Sequence, residues 1–192
     1  MNAALGYKLK TTSLVEPFTL MTNATFKALN IAVLTISDTR GEAEDISGKK
    51  LVEALSAAGH NNVEKSIVRD DKYAIRAALS RWIFDPEVDV VMTTGGTGIT
   101  GRDGTPEAIM PLLDKEIEGF GEMFRVLSYN DIKTSTLQSR ALAGVANATY
   151  VFVMPGSSSA CMTAWNELIV HQLDARTRPC NLVQLMPRLN EV

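Results

Sequence analysis

Between Val88 and Pro106 the chain reads VDVVMTTGGTGITGRDGTP: an apolar run empties into a glycine-rich turn, passes an aspartate and starts a helix. That order builds an anion site. Gly95, Gly96 and Gly98 reach backbone angles closed to other residues, so their N–H groups can approach an anion closely. Thr97 adds a hydroxyl. Asp103 follows at a separation from which the loop can fold it back toward the same pocket, which suits a magnesium ion held between protein and phosphates. The competing reading of such a turn is an ordinary strand-to-helix connection that carries glycines and no ligand.

The rest of the chain repeats the alternation of strand and helix. NIAVLTIS, from Asn30, reads as a buried strand, followed by the turn-like DTRGEAED. Asp45 or Ser47 can cap a helix with Leu51, Val52, Leu55 and Ala58 at helical spacing, and Gly59 can end it in a left-handed conformation. A short strand, VEKSIV, precedes a helix from about Asp71 to Phe84, carrying Ile75, Leu79, Trp82 and Ile83 on one face and stopped by Asp85-Pro86. Thr105 reads as an N-cap with Pro106 at the first helical position, and Pro111 should shorten or kink that helix. Gly119 to Leu127 is helical, SYNDIKTSTLQSR is a polar connection, and an Ala- and Gly-rich segment leads into the strand TYVFVM. A last helix runs from the serine cluster to about Leu173, turning Cys161, Ala164, Trp165, Leu168 and Ile169 inward.

Four apolar strands separated by helices call for an α/β fold, a mostly parallel central sheet covered on both faces. At 192 residues and 45% hydrophobic the chain fits one domain with a continuous core. Its expected bounds are residues 30–182, after an N-terminal arm (1–29) that is either disordered or docked on a neighbouring subunit, and before a C-terminal tail (183–192). A net charge of -3 with no cluster of Lys and Arg gives no electrostatic reason to expect nucleic acid. No apolar run is long enough to span a bilayer and no secretory signal pattern opens the chain, so the expectation is a cytoplasmic protein. Cys161 and Cys180 lack metal-ligand spacing and read as reduced thiols. His60 and His171 read as surface or capping residues.

In a parallel sheet, ligands bind beyond the carboxyl ends of the strands. Every polar motif here stands at such an end: Ser37-Asp38 after the first strand, Asp70 after the second, GGTG after the third, and Pro155-Gly156-Ser157-Ser158-Ser159 after the fourth. Backbone donors of the GGTG loop and of the start of the last helix suit a phosphate. Asp70 and Asp103 would be repelled by that phosphate unless a divalent metal mediates, and the chemistry that uses these parts is transfer at phosphorus. Each has a structural alternative: Asp103 as a loop cap, Asp70 as the cap of the helix that begins at Lys72. The glycines are followed by no Gly-Lys-Ser/Thr and do not form G-x-G-x-x-G, which weakens the kinase and dehydrogenase readings.

Taken together, ISD at the end of the first strand, TTGGTG with RDGTPEA, LQSRALAG and MPGSSSA resemble the molybdopterin-binding domain of molybdenum cofactor biosynthesis proteins, over about Asn30 to Leu182. DTRGEAEDISG, GEMFRVLSYNDIKTSTLQSRA and LDARTRPCNL look closer to the bacterial B-type branch of that family than to its separate adenylyltransferase branch. The resemblance implies a three-layer α/β sandwich assembled as trimers that can pair into hexamers. It also implies binding of molybdopterin, and in active members transfer of AMP from Mg-ATP to the molybdopterin phosphate with release of pyrophosphate. By motif, Asp70 and Asp103 match the two carboxylates needed for transfer and for magnesium. Ser139 and Arg140 match positions that contact the pterin, and the GGTG and MPGSSS loops match the phosphate and nucleotide surroundings. Arg69 stands where proline is more usual. The other expectations kept open are a non-catalytic oligomer that carries or hands over a pterin intermediate, beside other enzymes of the pathway, and a nucleotide-binding regulator.

Overall fold

The computed structural model describes residues 24–191. The arm expected over residues 1–29 therefore lies outside the described residues except for 24–29. Six strands form one sheet: β1 (Asn30–Ile36), β2 (Asn61–Val68), β3 (Val90–Thr94), β4 (Lys115–Glu116), β5 (Leu142–Ala146) and β6 (Thr149–Met154), in the order β2-β1-β3-β6-β5-β4. The first four in that order are parallel, while β5 and β4 continue the sheet antiparallel. Helices α1 (Ile46–Ala57), α2 (Lys72–Phe84), α3 (Thr105–Ile109), α4 (Glu118–Ile132), α5 (Ser158–Ala164) and α6 (Val170–Gln172) cover its faces. A π turn over Trp165–Ile169 joins α5 to α6.

The α/β sandwich with a mostly parallel central sheet is thus observed, and its alternation explains the two cores. Ile31 and Val33 of β1 face α1, α4 and α5, with Leu51, Phe124, Cys161 and Trp165. Ala32, Leu34 and Ile36 face the opposite layer, with Ile75, Leu79 and Trp82 of α2 and Ile109 of α3. A strand buried on both faces sends apolar side chains to both, which is why β1 and β3 read as near-continuous apolar runs, broken toward their carboxyl ends by the buried Thr35, Thr93 and Thr94, rather than as alternation.

Several local expectations change. The Ala- and Gly-rich segment is strand β5, joined to β6 by a two-residue turn in which Asn147 and Ala148 take φ of 45° and 65°, the backbone a tight hairpin requires. Helix α4 runs five residues beyond Leu127 and takes in SYNDI, so the polar connection shrinks to a 3-10 turn over Lys133–Gln138. Gly104, not Thr105, caps α3, and no side chain caps it; Met110–Leu112, with Pro111, finishes it as a 3-10 turn. His60 is buried rather than a surface residue. Its Nδ1 accepts from the Leu29 N–H at 3.2 Å and its ring lies 5.2 Å from that of Phe26, because the chain before β1 folds over the end of α1. The stretch after Leu173 contains a 3-10 turn over Val183–Arg188 that packs Val183 and Met186 against the core.

One buried ion pair ties α1 to the sheet. Asp45, fully buried, caps α1 by accepting from the Gly48 N–H at 2.9 Å, accepts from the Thr35 hydroxyl at 3.0 Å, and meets Lys65 Nζ of β2 at 2.7 Å. Burial alone would push its carboxyl up; the bonds from Lys65, Gly48 and Thr35 outweigh that and hold it below the usual carboxylate value. The stability it contributes is therefore present above about pH 4 and is lost as pH falls through the lowered folded value. Lys65→Met leaves the buried carboxylate without its cation and is expected to cost about 3 kcal/mol at pH 7. Urea unfolding measures it, and a loss under about 1 kcal/mol would mean that the pair does not hold α1.

Candidate functional site

Because β1, β2, β3 and β6 are parallel, their carboxyl ends share one edge, and the four polar loops meet there. The meeting is backbone to backbone. Gly95, at φ 107°, donates its N–H to Met154 O at 3.1 Å and lies against the Ile36 carbonyl and Gly156. Gly96, at φ 63°, lies between Asp70 and Thr105. A side chain at either position would collide with the neighbouring atoms, so these two glycines let the loops come together.

A cavity of about 590 Å³ opens beside that junction, a size that suits a small-molecule ligand. On one side it is lined by Gly96, Thr97, Gly98, Asp103 and, across the gap, Gly156 and Ser157. Pro155 and Ser139 contribute at its edge. The other side comes from α4 and the turn after it: Phe124, Ser128, Asp131, Ser135 and Gln138. Sequence reasoning missed this second wall, although Phe124, Ser128, Asp131 and Ser135 recur at the spacing of one helical face continued through a turn. The polar letters of SYNDIKTSTLQSR were what hid it.

The expected residues divide into three groups. Gly96, Thr97, Gly98, Asp103, Ser139, Pro155, Gly156 and Ser157 line the cavity. Ser37, Asp38 and Asp70 stand in an acidic corner beside it: Asp38 accepts the Asp70 N–H at 3.2 Å and bridges to Arg102, and Ser37 Oγ accepts the N–H groups of Thr39 and Arg40. Gly95, Arg140 and Ser158 support the loops from outside. Arg140 donates to Thr97 O and Asp103 O and pairs with Glu107, so its guanidinium braces the glycine loop. Ser157 caps α5 by accepting from the Ala160 N–H at 3.3 Å, and Ser158 is the first residue of that helix. Arg69 is exposed and forms no ion pair with Asp70 among the described residues.

Asp71, not Asp70, caps α2, accepting from the N–H groups of Tyr73 and Ala74 at 3.0 and 2.9 Å. Asp70 is thereby released from the structural role its position suggested. Its Oδ1 accepts weakly from the Gly104 N–H at 3.4 Å, and Oδ2 has no hydrogen-bond partner among the described residues. Burial pushes its carboxyl up; the Gly104 N–H opposes this, the charges of Asp103 and Asp38 add to it, and Arg102 offsets part. Asp103 is held in the opposite direction. The Thr100 hydroxyl, at 2.5 Å, keeps its carboxyl below the usual range against some burial, helped by the N–H groups of Thr100 and Gly98 and by the charge of Arg140. Asp103 closes the loop onto Thr100 and lines the cavity, and it does not cap the helix that follows. Cys161, beneath Thr94 at 3.1 Å, is pushed up to about 11 by burial, which excludes thiolate chemistry at this edge near neutral pH.

Among the described residues no group of three or more His, Cys, Asp or Glu side chains is disposed to hold a metal. No described helix is long and apolar enough to cross a membrane.

Comparison with known proteins gives a family. Residues 32–175 match the family model described as "Probable molybdopterin binding domain". The Molybdenum cofactor biosynthesis protein B of Escherichia coli K12 is 58% identical over 156 residues, covering 81% of this chain and 92% of that protein. A crystal structure of a Molybdenum cofactor biosynthesis protein B superposes with a TM-score of 0.77 at 44% identity, covering 86% of this chain and 98% of its own. The tungsten cofactor synthesizing protein of Pyrococcus furiosus superposes at 0.73 with 37% identity, over 86% of this chain and 99% of its own.

Proposed function

The chain belongs to the molybdopterin-binding domain family of molybdenum cofactor biosynthesis proteins, and on that premise we propose that it adenylylates molybdopterin with Mg-ATP, releasing pyrophosphate. The observation that carries this reading is the pairing of a mainly apolar cavity, polar along its glycine-loop side, with two carboxylates at that edge, neither of them committed to a cation. Ile132, half exposed, offers an apolar contact to a flat pterin, and the backbone of Gly96 to Gly98 with Ser157 offers donors to phosphate oxygens.

In the reaction an anionic oxygen of the molybdopterin phosphate attacks the α-phosphorus of ATP. A new phosphoanhydride bond forms, the bond between the α-phosphorus and its bridging oxygen breaks, and pyrophosphate leaves with the electron pair. The nucleophile is already ionised, so no general base is needed, and none of the cavity residues is a histidine. What the protein supplies is position: Arg140 holds the glycine loop in shape, and Asp103, kept ionised by Thr100, and Asp70 turn toward the junction.

The donor set suits magnesium. Asp70 presents an unpartnered carboxylate oxygen, and magnesium takes one or two carboxylates when phosphates and water complete its shell. Bound there by Asp70 and Asp103, it would neutralise charge on the phosphate oxygens. The homo-oligomer, trimer or hexamer, belongs to the same proposal, with Met123, Val126 and Tyr129 exposed along α4 as its contact candidates, and so does a cytoplasmic location. Phe120 and Phe124 of the same helix are buried and do not belong to that surface.

The test is pyrophosphate release with magnesium, ATP and freshly prepared molybdopterin, run beside Asp103→Ala to exclude a contaminant. Pterin-dependent release that the variant lowers at least about 10²-fold is expected, the size of one lost transition-state interaction. Pterin binding with no release would favour the carrier reading, and nucleotide binding independent of pterin the regulator.

A further inference from the structure

Thr105 is fully buried and its hydroxyl has no hydrogen-bond partner. Such a group is costly, because a buried donor left unpaired forfeits the bonds it would make in water. The sequence position suggests a helix cap, yet α3 is capped at Gly104 without any side chain, so the hydroxyl has no structural duty there. Its backbone does: the Thr105 N–H donates to Gly96 O at 3.0 Å and fixes the start of α3 on the glycine loop.

Next to the hydroxyl lies a second unpartnered oxygen, Asp70 Oδ2. A methyl group placed on Gly96 would overlap Thr105 Oγ1 and stand 2.7 Å from Asp70 Oδ2. Both oxygens therefore crowd the same point, and glycine keeps that point empty. The hydroxyl has no access to solvent and lies behind Gly96, so it cannot touch a ligand in the cavity directly.

We propose that Thr105 is a positioning residue for Asp70: when nucleotide and cation load the site, its hydroxyl donates to Asp70 Oδ2 through the space that Gly96 leaves. This rests on the reading that Asp70 serves a cation-bound nucleotide. Oδ1 is then held by the Gly104 N–H and Oδ2 by Thr105, each oxygen keeping lone pairs for the cation. One short segment, Gly104-Thr105, thus orients the carboxylate from the far side, and Gly96 is the aperture between them.

The experiment titrates the full chain with Mn²⁺ in the presence of ATP and follows free manganese by its paramagnetic resonance signal. Thr105→Val is expected to weaken manganese binding about tenfold, the scale of one hydrogen bond to a charged group. Thr105→Ser restores it, and melting temperatures stay close to wild type because no cap is lost. Should Thr105→Val fold poorly, Thr105→Ala carries the same expectation. On an Asp70→Asn background Thr105→Val should add nothing, which a merely structural role would not reproduce. Wild-type binding in Thr105→Val, additive losses in the double variant, or no Mn²⁺-ATP binding by the wild type would each overturn the inference. The coupling is separable from turnover: if it is found while no pyrophosphate is released, adenylylation fails and the role of Thr105 stands.

Discussion

Asp70→Asn is expected to lower pterin-dependent pyrophosphate release by about 10²–10³-fold, roughly 3–4 kcal/mol of transition-state stabilisation, without lowering the stability of the fold. The two halves of that expectation come from the same environment. Burial first, then the neighbouring charges of Asp103 and Asp38, push the Asp70 carboxyl up against the Gly104 N–H and Arg102. For an acid with a raised folded value the native state holds its proton more tightly than the unfolded chain does. Its ionisation therefore costs stability as pH rises through the ordinary value, 3.8, to the raised one, and the cost remains at neutral pH. Removing the charge should leave the melting temperature at pH 7 unchanged or higher. Asparagine keeps the shape and can still offer an oxygen to the Gly104 N–H, so the backbone has no reason to move. Parallel assays of turnover and thermal unfolding decide it. A variant that loses stability in step with activity would make Asp70 a structural residue. One that keeps normal turnover would remove it from the adenylylation site.

How much of this was readable beforehand depends on what each residue reports. The carboxyl ends of the strands could be located because an apolar run stops at a polar one, and Ser37, Asp70, Gly95 and Pro155 each mark such a stop. That all four stops share an edge follows from parallel pairing, which the interposed helices already demand. The antiparallel extension was not readable. β5 is built from LAGVA, and small residues carry little of the β-branched signal that identifies a strand. The second cavity wall was lost for a similar reason, since α4 continues through the mostly polar SYNDI, of which Ser128 and Asp131 line the ligand space. Asp70 and Asp71 are equivalent as letters; only the φ/ψ of the turn decides which one caps α2. The same applies to Gly104 and Thr105, and there the one-residue difference frees the hydroxyl that lies next to Asp70.

Gly95→Ala is the substitution expected to cost the fold most, about 4 kcal/mol, or roughly 10 °C in melting temperature. Two penalties combine at this position. Its φ of 107° lies where an L side chain is strained, and the added methyl would press into the carbonyl oxygen of Ile36. That obstacle is backbone at the end of β1, held in register on both sides by β2 and β3, and cannot turn away as a side chain would. Relief requires either moving β1 away from β3 or lifting the glycine loop. Lifting it breaks the Gly95 N–H bond to Met154 O and separates GGTG from Gly156, which touches Gly95 across the junction. Activity should therefore fall even in the fraction that remains folded, since the two walls that hold the phosphate donors part together. Gly101→Ala is the control within the same loop, because nothing lies near the methyl it would add. Calorimetric melting of both variants separates the explanations: a large drop confined to Gly95→Ala places the requirement at the β1 carbonyl. Equal small changes would mean that the loop yields, and that close backbone contact is not what brings the four strand ends into one site.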